Sequence, residues 1–207
     1  MKKNMENIDQ WLQLNAAKIH DFSLQHPATL EEVEQLERTV GKTLPQDFKD
    51  LYFWHNGLNE DENCGSLFYG MDFYPIDQVI ASYLDKKENY TTQIIPLEHA
   101  DLGIDPSHCY NPHWVEFAFD GSHTHLYLDL SPAKEGQYGQ IIFVDDEYER
   151  GILVASSTAS LIADFDRDLQ QGLYFLDEDA LEDDNHYLET HASIDLVNWY
   201  HSEKWKR

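Results

Sequence analysis

Two alternating stretches in the middle of the chain constrain its fold most strongly. In segments 114–119 and 126–130 large apolar residues recur at every second position, and Asp120-Gly121 lies between them as a turn. A period of two is typical of half-buried strands, so the segments are predicted to pair as a hairpin. The predicted core-facing residues are Val115, Phe117, Phe119, Leu126, Leu128 and Leu130. Segments 140–145 and 152–155 predict two further strands.

Helical patterns surround these strands. Thr29-Leu30-Glu31-Glu32 is a capping-box pattern that begins a helix in the first third, and Ser157 can cap a last helix after the strands. Weaker patterns predict strands at 66–71 and 93–95 and a helix at 76–84. Strands adjacent in sequence with short connections form meanders. The predicted fold is α+β, with an antiparallel meander sheet of about four to six strands, N-terminal helices packed on it and a final helix.

Charge limits the classes of partner. Lys and Arg number 14 against 39 Asp and Glu, which gives a formal net charge of −25. A field of this sign repels phosphate backbones and anionic lipid surfaces, so neither nucleic acid nor membrane is an expected partner. It favours a basic protein, reached faster through electrostatic steering. The alternative is that the charge only keeps the protein soluble.

The chain shows no secretory or membrane-spanning pattern. Lys2 and Lys3 are not followed by an apolar stretch, and no apolar run approaches the roughly 18 residues of a membrane span. Cys64 and Cys109 form no CxxC pattern and are expected to be reduced thiols. We therefore expect a cytoplasmic protein.

Several short motifs follow one another in an order typical of one family. In the first half these are segment 28–37, then 41–52 with Leu44-Pro45-Gln46-Asp47, then the turn Asn56-Gly57. In the second half they are 114–121, 126–132, 136–144, Glu149-Arg150 and 154–157. The sequence Asp120-Gly121-Ser122-His123 departs from the glycine-rich loop that is usual between the two hairpin motifs.

These motifs resemble the SUKH superfamily, also known as the yeast cell-wall-assembly-regulator family, over roughly residues 8–172. The resemblance implies an α+β fold with an antiparallel sheet. Bacterial members are mostly immunity proteins that bind and silence polymorphic toxins, often nucleases, and fungal members are scaffolds in cell-wall signalling. Neither group is enzymatic, so the resemblance supplies no catalytic residue. Partner contacts vary within the family, and none is carried over.

The chain after Leu173 differs from this pattern. Six of the eight residues 177–184 are carboxylates, and no Lys or Arg occurs between Arg167 and Lys204. We predict a SUKH-like domain at 1–173 and an acidic, partly helical extension at 174–207 that docks on it. Carboxylates in a row can imitate phosphates, and nearby aromatic residues (Tyr174, Phe175, Tyr187, Trp199) could anchor a partner. The predicted partner-binding residues are Asp177, Glu178, Asp179, Glu182, Asp183, Asp184 and Tyr187; the alternative is a solvated acidic linker.

Other residue patterns suggest metal chemistry less specifically. His108, Cys109 and His113 are close in sequence, as are His123 and His125, and His125, Tyr127 and Asp129 share a strand face. Such groups suit zinc or iron, but they also fit the solvent-facing side of a half-buried sheet. Segment 164–168 begins like a calcium loop but lacks the required Gly and Glu, so a helix with outward aspartates explains it better. Trp11, Trp54 and Trp114 are predicted to pack in the core or on the sheet.

The resemblance and the charge together predict an immunity protein that neutralises a cognate, basic toxin by occluding its active site or substrate groove. It would need no catalytic residue, cofactor or metal, and would be a monomer or weak homodimer. The alternative is a non-enzymatic scaffold or regulatory protein of the cell-wall-assembly-regulator type. A third hypothesis, a metal-dependent enzyme, depends on the histidines.

Overall fold

The computed structural model describes residues 1–59, 65–89, 94–183 and 185–206. Helices form the first part of the chain, as the apolar spacing predicts. They are α1 (Lys2–Asn15), a short π-helix (Ile19–Ser23), α2 (Leu30–Val40) and α3 (Gln46–Trp54). Each of the three α-helices turns one apolar stripe toward a shared core, which is the usual source of helix stability in a folded domain.

Helix α2 begins and ends where the sequence predicts. The Thr29 hydroxyl accepts a hydrogen bond from the Glu32 amide, and the Glu32 carboxylate accepts one from the Thr29 amide at 2.7 Å. Gly41 ends the helix with φ +71°, a left-handed conformation that costs glycine little. The capping box is therefore confirmed.

The middle segment differs from its prediction. Residues 66–71 contain a 3-10 turn (Phe68–Gly70) rather than a strand, and the two-residue strand β1 (Asp72–Phe73) follows it. The turn is tight, because Tyr69 has φ +55° and the Leu67 amide donates to the Met71 carbonyl. Helix α4 (Ile76–Asn89) is confirmed.

The other weak strand prediction is also wrong in the part that the structure describes. Gln93 lies outside the described residues, and Ile94 and Ile95 are not in a strand. The strand of this region, β2, is His99–Ala100.

The central sheet contains the predicted meander. Its strands β3 (Trp114–Phe119), β4 (Thr124–Asp129), β5 (Gln140–Asp145) and β6 (Arg150–Ala155) pair antiparallel in chain order. Strand β1 adds antiparallel to β3, giving the order β1-β3-β4-β5-β6-β2. The expectation of a purely antiparallel sheet is wrong at one edge, because β2 pairs parallel with β6. A two-residue strand is too short to show a period in the sequence.

A β-bulge in β3 changes which residues face the main core. The register shifts between Glu116 and Ala118, so that Ala118 pairs with Leu126 and Phe119 with His125. Phe119 therefore leaves the predicted apolar face and stacks on the His125 ring, with 4.7 Å between centroids. A bulge adds one residue to a strand and reverses the alternation beyond it.

The last part of the chain packs against the body. Helix α5 (Thr158–Gln170) is capped by Ser157, as predicted, and is followed by β7 (Tyr174–Leu176), α6 (Glu178–Glu182) and β8 (Leu188–Thr190). Strands β7 and β8 form a separate two-stranded sheet. Residues of this extension are buried in the main core, namely Tyr174, Leu188, Ile194, Leu196 and Trp205. The boundary at 173 stays a prediction.

Each face of the central sheet is covered by its own apolar cluster. The main core joins Phe117 and Phe143 to residues of α1, α2, α3 and α5. On the other face a smaller cluster is formed by Leu97, Ile104, Cys109, Trp114, Tyr127, Ile142 and Val144. The second face is therefore not open to solvent, which corrects that interpretation of His125, Tyr127 and Asp129. Trp114 packs there, whereas Trp11 and Trp54 pack against the main core.

Candidate functional site

The predicted partner-binding carboxylates lie on and around α6. Asp177 is the N-cap of this helix, and its carboxylate accepts a hydrogen bond from the Ala180 amide at 2.6 Å. Glu178, Asp179, Glu182 and Asp183 are exposed around the short helix, and Asp184 lies outside the described residues. We call the exposed carboxylates Glu178, Asp179, Glu182 and Asp183 the acidic surface.

The base of the acidic surface is held by β7 and β8. The Asp177 amide donates to the Tyr187 carbonyl at 2.9 Å, which closes the loop that contains α6. Leu188 is buried, and its amide donates to the Ser66 hydroxyl at 2.9 Å. The carboxylates therefore project from a segment that is anchored to the body rather than from a free linker.

A cleft of about 290 Å³ opens beside α6. Its polar lining comes from distant parts of the chain: Ser66 and Tyr69 near the 3-10 turn, Asp177 and Tyr187 on either side of α6, and Glu189, Thr190, Asp195 and Asn198 after it. Tyr187 is half-buried and lines this cleft. The structure thus brings Asp177 and Tyr187 together at one opening. It places Glu178, Asp179 and Glu182 on the adjoining helix and Asp183 directly after it.

Two carboxyls of the cleft interact directly. Hydrogen bonds from the Ala180 amide and with Glu189 hold the pKa of Asp177 below its usual value. Burial, then the hydrogen bond and charge of Asp177, raise the pKa of Glu189. Glu189 therefore keeps its proton to a higher pH than an isolated glutamate, and a cation approaching the cleft favours its ionised form.

The histidines that suggested a metal site do not converge. His123 lies 3.7 Å from a Glu147 oxygen, whereas His108 is buried and accepts bonds from the Ile95 and Tyr110 amides. Burial raises the pKa of Cys109 to about 11, which disfavours the thiolate that binds metals. Within the four described ranges, no group of three or more His, Cys, Asp or Glu is placed to hold a metal ion.

His125 belongs instead to a buried ionic network that the sequence analysis missed. The Glu116 carboxylate receives Lys86 Nζ at 2.7 Å, the His125 ring and the Ser82 hydroxyl. His125 Nε2 also lies 3.5 Å from Asp146. We call Lys86, Glu116, His125 and Asp146 the buried network. Its sequence signal is a glutamate inside an otherwise apolar strand.

Electrostatics within the buried network favour the ionised form of Glu116 and the protonated form of His125. Burial alone would raise the pKa of Glu116, but the hydrogen bond from His125 and the charge of Lys86 outweigh it and lower the value to about 2. Burial would likewise lower the pKa of His125, yet its bonds to Asp146 and Glu116 raise it. Each charged group of the network faces a group of opposite charge under the second sheet face, which offsets part of the cost of burying it.

The aspartates of α5 are a further correction. Asp166 and Asp168 are buried rather than outward. The side-chain amides of Asn4 and Asn7 donate to Asp166 at 2.9 and 3.0 Å, and Lys204 lies 3.7 Å from Asp168. These carboxylates connect α5 to α1 and to the end of the chain. The helix itself, rather than a calcium loop, is confirmed.

Comparison with known proteins gives a consistent set of relatives. The sequence model of the SMI1 / KNR4 family (SUKH-1) matches residues 27–164. The chain is 24% identical over 192 residues to the "Cell wall biosynthesis/cell cycle regulator smi1" of Schizosaccharomyces pombe, covering 86% of this chain and 38% of that protein. It is 24% identical over 213 residues to the "Glucan synthesis regulatory protein" of Neurospora crassa, covering 86% of this chain and 40% of that protein.

A third relative extends the same pattern. The "Cell wall assembly regulator SMI1" of Saccharomyces cerevisiae is 21% identical over 209 residues, with 84% of this chain and 41% of that protein covered. The chain thus spans about two fifths of the length of these relatives. The acidic surface lies beyond the residues that the family model matches. Among the described helices, none is both long enough and apolar enough to cross a membrane.

Proposed function

The chain belongs to the SMI1/KNR4 (SUKH-1) family, and from this membership we propose that it is a non-catalytic, protein-binding module of the cell-wall-assembly-regulator type. The observation that carries the proposal is that relatives aligned over most of this chain bear the names of regulators. The proposal concerns the module that this chain forms, because those relatives are more than twice its length.

The acidic surface and the adjoining cleft support a basic partner. Exposed carboxylates keep most of their hydration until a partner arrives, so they steer association over several ångströms without a large desolvation cost. The exposed residues lie next to a cleft lined by Asp177, Glu189 and Asp195, where a lysine or arginine side chain would find further acceptors. Charge of this kind sets association rate and register more than affinity.

The compartment that we propose is the cytoplasm. Cys109 is a free, buried cysteine, and thiols remain reduced in a cytosolic environment. Cell fractionation with an antibody to the full chain tests this assignment.

Toxin neutralisation stays a prediction. The names of the relatives favour regulation, and the acidic surface suits a basic toxin and a basic regulatory partner equally well. The two functions differ in what the partner does alone, since a toxin harms the cell unless this chain is bound.

The test is capture followed by reconstitution. The tagged full chain is used to recover proteins from a lysate of its source organism, and each recovered protein is purified and titrated against the chain. We expect one partner to rebind directly, in a stable stoichiometry and with an association rate that falls with salt. Failure of every purified protein to rebind would contradict the proposal, and a rebinding partner that is toxic when expressed alone would replace it with immunity.

Matched variants connect the binding to the acidic surface. The acidic variant carries Glu178→Gln, Asp179→Asn and Glu182→Gln; the control variant carries Glu31→Gln, Glu88→Gln and Glu98→Gln. All six residues are exposed, and each variant removes three negative charges. A partner held at the acidic surface loses association rate with the acidic variant and much less with the control. An equal loss in both would mean that only net charge matters.

A further inference from the structure

A cluster of aromatic rings forms where the chain after β8 meets the turn between β5 and β6. Tyr148, in the turn between β5 and β6, is 53% exposed, and Tyr200 is 40% exposed. Ring centroids are 5.9 Å apart for Tyr148 and Tyr200, 6.4 Å for Tyr148 and Trp199, and 5.7 Å for Trp199 and Tyr200. We call these three residues the aromatic patch. Large rings exposed together, rather than singly, mark a contact surface.

The aromatic patch is held in place by a single buried carboxylate. Asp145 is fully buried at the end of β5; its oxygens accept hydrogen bonds from the Tyr148 amide at 2.9 Å and from Trp199 Nε1 at 3.0 Å. The two chain segments that supply the rings are therefore fixed relative to each other. A preorganised surface loses little conformational entropy when a partner binds.

The surroundings of the aromatic patch are acidic. Glu147 and Glu149 stand on either side of Tyr148 in the turn, and Glu203 follows Tyr200 by three residues. Carboxylates beside exposed rings make a surface that attracts cations and offers them π-faces. A neutral apolar partner would gain nothing from these charges and would have to desolvate them.

The structure already contains one guanidinium on these rings. The Arg150 guanidinium carbon lies 5.7 Å from the Trp199 ring centroid, and its Nη2 donates to Asp101 at 2.8 Å. One ring of the patch thus stacks an arginine whose other contacts are with a carboxylate. Tyr148 and Tyr200 expose rings as well, and Glu147, Glu149 and Glu203 lie within three residues of them in the sequence.

We propose that the aromatic patch binds an arginine-containing basic segment of the partner, with a guanidinium stacked on Tyr148 or Tyr200 and paired with a neighbouring carboxylate. Arginine is preferred to lysine because its planar guanidinium stacks on rings and pairs with carboxylates in a fork geometry. The cleft beside α6 is lined by Asn198, which directly precedes Trp199. The cleft and the aromatic patch thus adjoin along the chain. This inference rests on the proposed protein-binding function and names the chemistry of the partner.

The test uses two fluorescent peptides of equal length and charge, Gly/Ser-rich chains carrying either six arginines or six lysines. Their affinities for the full chain are measured by anisotropy, with wild type and with the double variant Tyr148→Ser/Tyr200→Ser. A control variant, Phe22→Ser/Tyr138→Ser, removes two rings that are also exposed but lie elsewhere. Urea unfolding of all three proteins checks that each is folded.

We expect wild type and control to prefer the arginine peptide by about fivefold, in keeping with a ring–guanidinium contact at a partly exposed site. The double variant should lose most of this preference, because only the pairing of guanidinium groups with carboxylates remains. Equal affinity of both peptides for wild type, or a preference that is undiminished in the double variant, would overturn the inference.

Two further outcomes separate this inference from the proposed function. A neutral oligosaccharide that binds wild type and not the double variant would overturn it in favour of sugar stacking. A reconstituted partner that is sensitive to the acidic variant but not to Tyr148→Ser/Tyr200→Ser would overturn it while the proposed function stands. If no purified partner rebinds although the arginine preference holds, the proposed function fails alone.

Discussion

The two faces of the central sheet are both covered, but by different chemistry. One face packs Phe117 and Phe143 against the helices in a continuous apolar core. The other combines a small apolar cluster with the buried network around Glu116. Apolar packing depends on shape and area, whereas a buried charge depends on each of its partners. The second face should therefore respond to pH and to the loss of a single charge, whereas the first should respond to a change in side-chain volume.

The comparison also separates two kinds of carboxylate. Glu116 is 5% exposed and bound by Lys86 and His125, so its charge is used within the fold. Glu178, Asp179 and Glu182 are exposed on α6, in a stretch of chain without Lys or Arg. The net charge of the chain counts buried and exposed carboxylates equally, but only the exposed carboxylates are available to a partner.

The largest effect is expected on the apolar face. Phe117→Ala removes a fully buried ring whose centroid lies 5.6 Å from the centroid of the Phe48 ring. We expect a loss of about 3–5 kcal/mol in the free energy of unfolding, because the lost transfer energy adds to the cost of a cavity. Urea unfolding measures it. A loss below about 1 kcal/mol would mean that this face is not a close-packed core.

On the second face, Glu116→Gln keeps the shape and removes the charge. We expect a loss of about 2–3 kcal/mol, because charged hydrogen bonds weaken to the half-buried Lys86 and the buried His125. The matched control is the exposed Glu88→Gln, which should change stability by less than about 0.5 kcal/mol. Equal effects of the two substitutions would contradict the structural role of Glu116.

The stability difference between wild type and Glu116→Gln should depend on pH, which distinguishes the second sheet face from the first. The folded-state pKa of Glu116 is about 2, below its ordinary value of 4.5. Its stabilisation is therefore fully present above pH 4.5 and is lost as the pH falls toward 2. The stability gap between wild type and Glu116→Gln should narrow over this window, whereas the gap for Phe117→Ala should not. A Glu116 gap that stays constant down to pH 2 would contradict the pairing.

The smallest effect belongs to the acidic surface. The triple variant Glu178→Gln/Asp179→Asn/Glu182→Gln should change the free energy of unfolding by less than about 0.5 kcal/mol, since these residues are exposed. Relief of repulsion within a chain of charge −25 opposes the loss of favourable charge at the start of α6. Thermal and urea unfolding check this. A clear destabilisation would show that these carboxylates hold the fold together.

Local patterns in the sequence predicted much of this fold. The capping box at Thr29 and the meander from β3 to β6 depend on residues a few positions apart, and both are as predicted. Strand β2 is two residues long and pairs with β6, far along the chain. Phe119 was misplaced because the bulge reverses the alternation, which no residue type announces.

Some parts of the candidate site are visible in the local sequence, whereas others depend on contacts between distant residues. The carboxylates on and around α6 stand out in the sequence because they make up six of the eight residues 177–184. The cleft beside them combines Tyr69 with Asn198, and the aromatic patch combines Tyr148 with Trp199. Asp166 and Asp168 were placed outward because their partners, Asn4, Asn7 and Lys204, lie at the two ends of the chain. Contacts of this range follow from tertiary packing and have no local pattern.

We propose that the acidic surface, rather than the net charge of the whole chain, receives a basic partner. The most direct measurement is the association rate constant of the reconstituted partner as a function of salt, for wild type, the acidic variant and the charge-matched control. We expect the acidic variant to associate more slowly and with a shallower salt dependence, and the control to follow wild type. Identical salt dependences for all three proteins would contradict the claim.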